Sequence, residues 1–167
     1  VANAQRFLLL KRPEAAVGHT LYTLRIPSTT RHLKTVRRFV ERHARAAGLS
    51  SEVIEQLKLA VDEACTNVIK HAYKGRPDQP IDIAVLIEPD RFIVRIRDQG
   101  EAFDPVHYRA PDLPALIRRR QGGGLGVRLI RQLMDEVTYQ SRGRYNEVQL
   151  IKYLARSGTA LPPSANA

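Results

Sequence analysis

The stretch LAVDEACTNVIKHAY, residues 59–73, carries a carboxylate at Glu63 and a carboxamide at Asn67 inside a run otherwise suited to a core. A helix turns by about 100° per residue, so Leu57, Val61, Ala64 and Val68 form one apolar stripe, with Ala60 and His71 on its shoulder. Glu63 and Asn67 then stand one above the other on that side, just outside the stripe. From there a carboxylate reaches a cleft for proton transfer, and an amide oxygen offers one ligand to a hard cation. A surface glutamate beside an incidental asparagine is the plain alternative, and the pair alone does not decide.

Two other stretches raise the same kind of question. DQG, Asp98–Gly100, ends the apolar run RFIVRIRD. An aspartate leaving a strand beside a glycine can point into a pocket and accept from an exocyclic amine, while Gly100 lets backbone approach a ligand closely. The same residues also favour an ordinary strand-ending turn. QGGGLGV, Gln121–Val127, sets Gly122, Gly123, Gly124, Leu125 and Gly126 ahead of an amphipathic pattern. Clustered glycines at a helix N-terminus expose backbone N–H groups, and the helix dipole adds positive potential, which together cradle an anion. A flexible hinge has the same composition. The dinucleotide and P-loop fingerprints do not fit, because no strand leads in closely and no Gly-Lys-Ser/Thr follows.

The elements that must position these residues are legible from periodicity. HTLYTLRIPS alternates and stops at Pro27, which suits a strand. Ser28, Thr29 or Thr30 can cap a helix through about Ala47, with Leu33, Val36, Phe39, Val40 and Ala44 at helical spacing and Gly48 ending it. Ser50 or Ser51 caps a second helix, which runs to about Tyr73 with Glu52 and Glu55 near its positive end. IDIAVLIE and RFIVRIRD read as strands joined at Pro89 and Asp90. Residues 99–121 form a long Pro-rich loop, a kind that is usually functional. LGVRLIRQLMDEV reads as a helix, and TYQSR and NEVQLIKYL as strands around Gly143. The pattern predicts an α+β, two-layer sandwich with helices on one face of a mostly antiparallel sheet. Residues 1–18 read as a loosely attached arm, 19–154 as the domain and 155–167 as a disordered tail.

Bulk properties bound the function. At 167 residues, with 43% hydrophobic and 26% charged residues, the chain suits one globular domain. No stretch approaches the roughly 20 apolar residues of a membrane span, RFLLLKRP is too short for a signal peptide, and a cytoplasmic location is expected. A chain beginning at Val1 is compatible with a processed product or a piece of a longer protein. One cysteine, Cys65, excludes an internal disulfide framework and a Cys-rich metal site. His71 reads as structural, and Cys65 and Thr66 as packing or surface residues. A formal charge of +10 calls for an acidic partner, nucleotide phosphates or nucleic acid.

The order of the motifs carries more than any one of them. E-x-x-x-N on a helix, D-x-G after a strand and G-G-G-L-G before a helix resemble the ATP-binding domain shared by gyrase, the Hsp90 chaperone, histidine kinases and MutL. Within it, DEACTNVIKHAY and GGGLGVRLIRQLMDEV resemble the small bacterial anti-sigma-factor serine/threonine kinases, over roughly residues 19–154. The resemblance implies the histidine-kinase-like (Bergerat) fold, with ATP and Mg²⁺ as cofactors. It makes Asn67 the Mg²⁺ ligand, Asp98 the acceptor for the adenine amine with Gly100 beside the base, and Glu63 the general base. It assigns Gly122, Gly123, Gly124, Leu125 and Gly126 to the phosphates and Phe103–Gln121 to a mobile lid. One of Arg118, Arg119 and Arg120 could meet the γ-phosphate. Two departures stand out: Ala102 replaces a second glycine, and Asn146 and Glu147 stand where a Gly-Thr is common.

The implied function is a protein kinase in a partner switch. It phosphorylates a Ser or Thr of an anti-sigma-factor antagonist of the STAS type, holds a sigma factor or other regulator otherwise, and forms a homodimer. The alternative is a nucleotide-gated binding module without phosphotransfer, against which an intact Glu63 argues. Nucleic-acid binding through Arg31, Lys34, Arg38 and Arg45 ranks below both, because no aromatic platform or helix-turn-helix spacing accompanies the basic helix.

Overall fold

The computed structural model describes residues 11–16, 19–102 and 125–154. Six strands form one sheet in the order β1-β2-β3-β4-β6-β5, with every neighbouring pair antiparallel. They are β1 (Lys11–Ala16), β2 (His19–Pro27), β3 (Pro80–Ile87), β4 (Arg91–Asp98), β5 (Glu136–Ser141) and β6 (Asn146–Tyr153). Three α-helices, α1 (Leu33–Ala46), α2 (Ser51–Asn67) and α3 (Leu125–Leu133), accompany the sheet among the described residues. The predicted α+β sandwich is the observed architecture.

Strand alternation decides which face the helices cover. Ile83 pairs with Ile96, and Ile96 with Val148, so one apolar row crosses three strands. These side chains share a buried cluster with Val36 and Val40 of α1, Leu57 and Val61 of α2 and Ile130 of α3. Residues one position along point to the other face. There Leu86, Ile93 and Ile151 make a smaller apolar cluster with Leu21. Arg25 and Asp82 pair beyond it, as do Arg97 and the buried Glu147.

Several local expectations need correction. Part of the segment read as an arm belongs to the sheet, since Lys11–Ala16 pairs antiparallel with β2. Pro13 hid this strand: proline interrupts a strand pattern but is tolerated at a sheet edge, and the register shifts between Lys11 and Glu14. The first helix is entered through a 3₁₀ turn, Thr30–His32, with no side-chain cap from Thr29. Ser28 instead donates to the Arg76 carbonyl at 2.6 Å and accepts from Gln79 N–H at 3.0 Å, tying β2 to the segment before β3. Ser50 does cap α2, accepting from Val53 N–H at 3.3 Å. In α1, His43 is buried, stacked on Tyr22 with ring centroids 3.8 Å apart. Burial lowers its pKa to about 4, with the Arg42 charge adding to the effect, so it is neutral at physiological pH.

The end of α2 departs from α-helical geometry. Val68–Ala72 forms a π-helical turn in which Tyr73 N–H reaches the Val68 carbonyl at 2.9 Å. This wider turn leaves the Ala72 carbonyl available to Glu101 N–H, at 2.9 Å. Read from the sequence as structural, His71 is exposed at the rim of the cavity described next.

Candidate active site

Helix α2 places Glu63 and Asn67 one turn apart on the side facing α3, both half-buried. Neither has a hydrogen-bond partner among the described residues, which leaves the carboxylate and the amide available to something else. The start of α3 closes against them. A Cβ built on Gly126 would lie 2.6 Å from Glu63 Oε2 and 3.5 Å from Asn67 Nδ2, so any larger residue here would displace the Glu63 carboxylate. Val127, Ile130 and Met134 hold α3 in place, with 4%, 1% and 6% of their surface exposed. Burying each such side chain contributes about 1.5–3 kcal/mol. The described start of α3 thus lies beside Glu63 and Asn67. Gly122, Gly123, Gly124, Arg118, Arg119, Arg120 and the whole lid segment Phe103–Gln121 lie outside the described residues. Leu125 opens α3.

Beside Asn67 a cavity of about 590 Å³ opens between the helices and the sheet. Its apolar walls are Ala64 and Val68 of α2 and its π turn, Val127 and Ile130 of α3, and Val148 of β6. Asn67, Asp98 and Asn146 are among its polar groups. A slot of this volume, apolar with a few convergent polar groups, suits a flat heteroaromatic ligand. Glu63 is not part of the lining; it stands one turn beyond Asn67, past the cavity's end.

Asp98 ends β4 and is 6% exposed. Its Oδ1 accepts from Gly100 N–H at 2.8 Å and from the Asn146 amide at 3.0 Å. Burial raises its pKa above the usual carboxylate value, and these two donors work against that rise. Gly100 is required by close packing, since a Cβ there would sit 2.3 Å from the Ala72 carbonyl oxygen. Tyr73, 1% exposed, donates its hydroxyl to the Pro80 carbonyl at 2.6 Å and accepts from Gln99 N–H at 2.8 Å. The structure thus brings Glu63, Asn67 and Gly126 together at one end and Asp98 and Gly100 at the other.

Two contributors escaped sequence reasoning. Tyr73 reads as the last apolar residue of its helix, and nothing in the sequence points its hydroxyl at the strand ends. Asn146 reads as a departure from a common pattern, although a register that pairs it with Asp98 would have exposed its role. Among the described residues no group of three or more His, Cys, Asp or Glu side chains is placed to hold a metal. A cation here would draw on the Asn67 amide oxygen together with oxygens supplied by a ligand, a donor set that fits Mg²⁺.

Comparison with known proteins adds an independent line. Residues 26–152 match the family described as the histidine kinase-like ATPase domain. Serine-protein kinase RsbW of Listeria monocytogenes is 38% identical over 126 residues, covering 73% of this chain and 80% of that protein. RsbW of Bacillus pumilus is 34% identical over 143 residues, covering 81% and 87%. RsbW of Bacillus subtilis strain 168 is 33% identical over 135 residues, covering 78% and 84%. Among solved structures, the SiaB–SiaC complex from Pseudomonas aeruginosa aligns with a TM-score of 0.57 at 15% identity, over 78% of this chain and 88% of the other. The RsbU and RsbW domains of a Mycobacterium tuberculosis protein align with a TM-score of 0.53 at 16% identity, over 77% and 31%. At such identities the structures establish the fold.

Proposed function

The chain belongs to the histidine kinase-like ATPase family and, within it, to the serine-protein kinases, and from that premise we propose that it is an anti-sigma factor working in a partner switch. It transfers the γ-phosphoryl group of ATP to a serine or threonine of an anti-sigma-factor antagonist of the STAS type, and otherwise holds a sigma factor or another regulatory protein. The observation that carries this reading is the placement of Glu63 beside Asn67, both without hydrogen-bond partners among the described residues, against Gly126 at the described start of α3.

Each end of the site has its task. The purine lies in the cavity, with its exocyclic amine donating to Asp98 and Gly100 beside the ring. The phosphates run past Asn67 toward α3, where backbone N–H groups at Gly126 meet negative charge. Asn67 Oδ1 would be the protein ligand to Mg²⁺, which would neutralise charge on the phosphate oxygens. Glu63 takes the proton from the substrate hydroxyl as its oxygen forms the new bond to the γ-phosphorus and the bond to the ADP oxygen breaks. A nucleotide-gated binder of the same fold has no use for an unpaired carboxylate at this place, which favours the kinase.

The basic first helix suits a protein partner better than nucleic acid. Arg45 is paired with Glu41 at 2.8 Å, and Arg37 with Asp62 at 2.5 Å, which leaves Arg31, Lys34 and Arg38 exposed for an acidic surface. No described helix is long and apolar enough to cross a membrane.

The test has two parts. Calorimetry with ATP and Mg²⁺ should give a heat of association, and radiolabelled ATP with a cognate antagonist should give a phosphoprotein. Absence of any nucleotide binding sinks the whole reading, while binding without phosphotransfer leaves the gated binder.

A further inference from the structure

The departure at Asn146 has a physical account. In the sheet register it stands opposite Asp98 on β4 and opposite Ser141 on β5. Its amide nitrogen lies 3.0 Å from Asp98 Oδ1, 3.1 Å from the Gly100 carbonyl and 3.4 Å from the Glu101 carbonyl. Its Oδ1 accepts from the Ser141 hydroxyl at 3.0 Å. With three acceptors around one nitrogen, the amide has a single tenable orientation, since turning it over would set an oxygen against three oxygens. Asp98 Oδ1 is therefore taken by Asn146 and Gly100 N–H, and Oδ2 is the oxygen without a partner among the described residues.

We propose that Asn146 is a positioning residue for nucleotide selection: by holding Asp98 Oδ1 and the two carbonyls that follow, it keeps Asp98 as a pure acceptor and sets the preference for adenine over purines carrying an oxo group. This rests on the nucleotide reading above and deepens it. A carboxylate accepts from the amine of adenine. A protonated carboxyl can donate instead, which matches the oxo group of hypoxanthine or guanine. Burial pushes Asp98 toward the protonated form, and the Asn146 amide is one of two donors resisting that. The other groups near Asp98 stay in place when Asn146 changes. They are His71 and Tyr73 at the end of α2, Glu101 paired with Lys74, Glu147 paired with Arg97, and Tyr139 on β5; among the described residues α3 contributes Val127 and Ile130 to the cavity.

The experiment compares ATP and ITP binding, each with Mg²⁺, by calorimetry on the full chain and on Asn146→Ala and Asn146→Asp, with thermal unfolding as a control. Asn146→Ala removes one hydrogen bond to a charged group and should weaken ATP about tenfold while narrowing the ATP/ITP ratio. Asn146→Asp keeps the shape and the bond from Ser141 but sets a second carboxylate against Asp98, and should collapse the preference further. A carboxyl-carbon NMR titration of Asp98 should show its midpoint moving to higher pH in both variants. If neither folds, Ser141→Ala loosens the same amide and should shift the ratio a few-fold. Unchanged ATP/ITP ratios, or an Asp98 titration that stays put, overturn the proposal while wild-type ATP binding keeps the nucleotide reading intact. A wild-type chain that binds no ATP overturns both.

Discussion

The two ends of the cavity are built on opposite terms. At the sheet end, Asp98, Gly100, Tyr73 and Asn146 are locked by hydrogen bonds of 2.6–3.1 Å and by backbone contact with the π turn of α2. At the helix end, Glu63 and Asn67 are half-buried and lack partners among the described residues, and only the close approach of Gly126 frames them. The difference follows from what each end has to handle. On the proposed reading, a neutral ring is read by hydrogen-bonding groups that must already be aimed, because an unpaired buried group costs about 1–3 kcal/mol. Phosphate and metal, the proposed ligands of the other end, bring their own charge and solvation, so groups that are to meet them can stay open until the ligand arrives.

If that division is right, substitutions at the helix end should cost rate, and those at the sheet end affinity or stability. The largest effect belongs to Glu63→Gln. Phosphotransfer in single-turnover assays should fall about 10²–10⁴-fold with ATP affinity nearly unchanged. An equal loss of ATP affinity would move Glu63 to the recognition side and break the comparison. Next comes Asp98→Asn, which should weaken ATP about 10–100-fold, since a charged acceptor is exchanged for a donor facing the amine.

Stability should move the other way in that variant. Burial raises the pKa of Asp98 above its ordinary 3.8, so the folded state favours the protonated form. Its contribution to stability is present at low pH and is lost as pH rises through the raised folded value. The amide introduced by Asp98→Asn carries no charge to desolvate, so the unliganded variant should melt no lower than the wild type at pH 7. A lower melting temperature would mean that the carboxylate holds the fold together as well as the ligand.

The comparison also explains what the sequence disclosed. Elements with strong periodicity, such as β4 and α2, were legible because one apolar row decides the face each residue takes. Glu63 and Asn67 were legible as exceptions to such a row. The sheet end was only half legible. Asp98 and Gly100 carry a local signal, but Asn146 acts across strands, and its role depends on a register between positions 48 apart in the chain. The π turn leaves no trace in the pattern, and the exposure of His71 beside Ala64, Asn67 and Val68 is likewise a fact of the structure alone. Strand β1 was hidden by Pro13, whose meaning changes at an edge.

Glycine substitutions sharpen the contrast at smaller magnitude. An alanine Cβ at position 100 meets a backbone carbonyl that cannot yield, and Gly100→Ala should cost about 1–3 kcal/mol in chemical denaturation. At position 126 the obstacle is the carboxylate of Glu63, the end of a flexible side chain. Gly126→Ala should therefore leave the fold nearly as stable but displace the base, lowering phosphotransfer more than ATP affinity. Equal stability losses at the two positions would remove the asymmetry between the ends.

The smallest effect is expected at Tyr73→Phe. The ring still fills its fully buried place, so no cavity forms, and only the hydroxyl is lost. That leaves the Pro80 carbonyl and Gln99 N–H without their partner. Gln99 is exposed and Pro80 half-buried, so water can satisfy both, and the cost should stay near the lower end, about 1 kcal/mol. The more telling readout is amide hydrogen exchange at Gln99 and Gly100. Both should exchange faster in the variant while amides around Glu63 keep their rates, because the Tyr73 hydroxyl braces the strand end that carries Asp98. Faster exchange along the whole of α2 would instead tie the helix end to the same brace and make the two ends one cooperative unit.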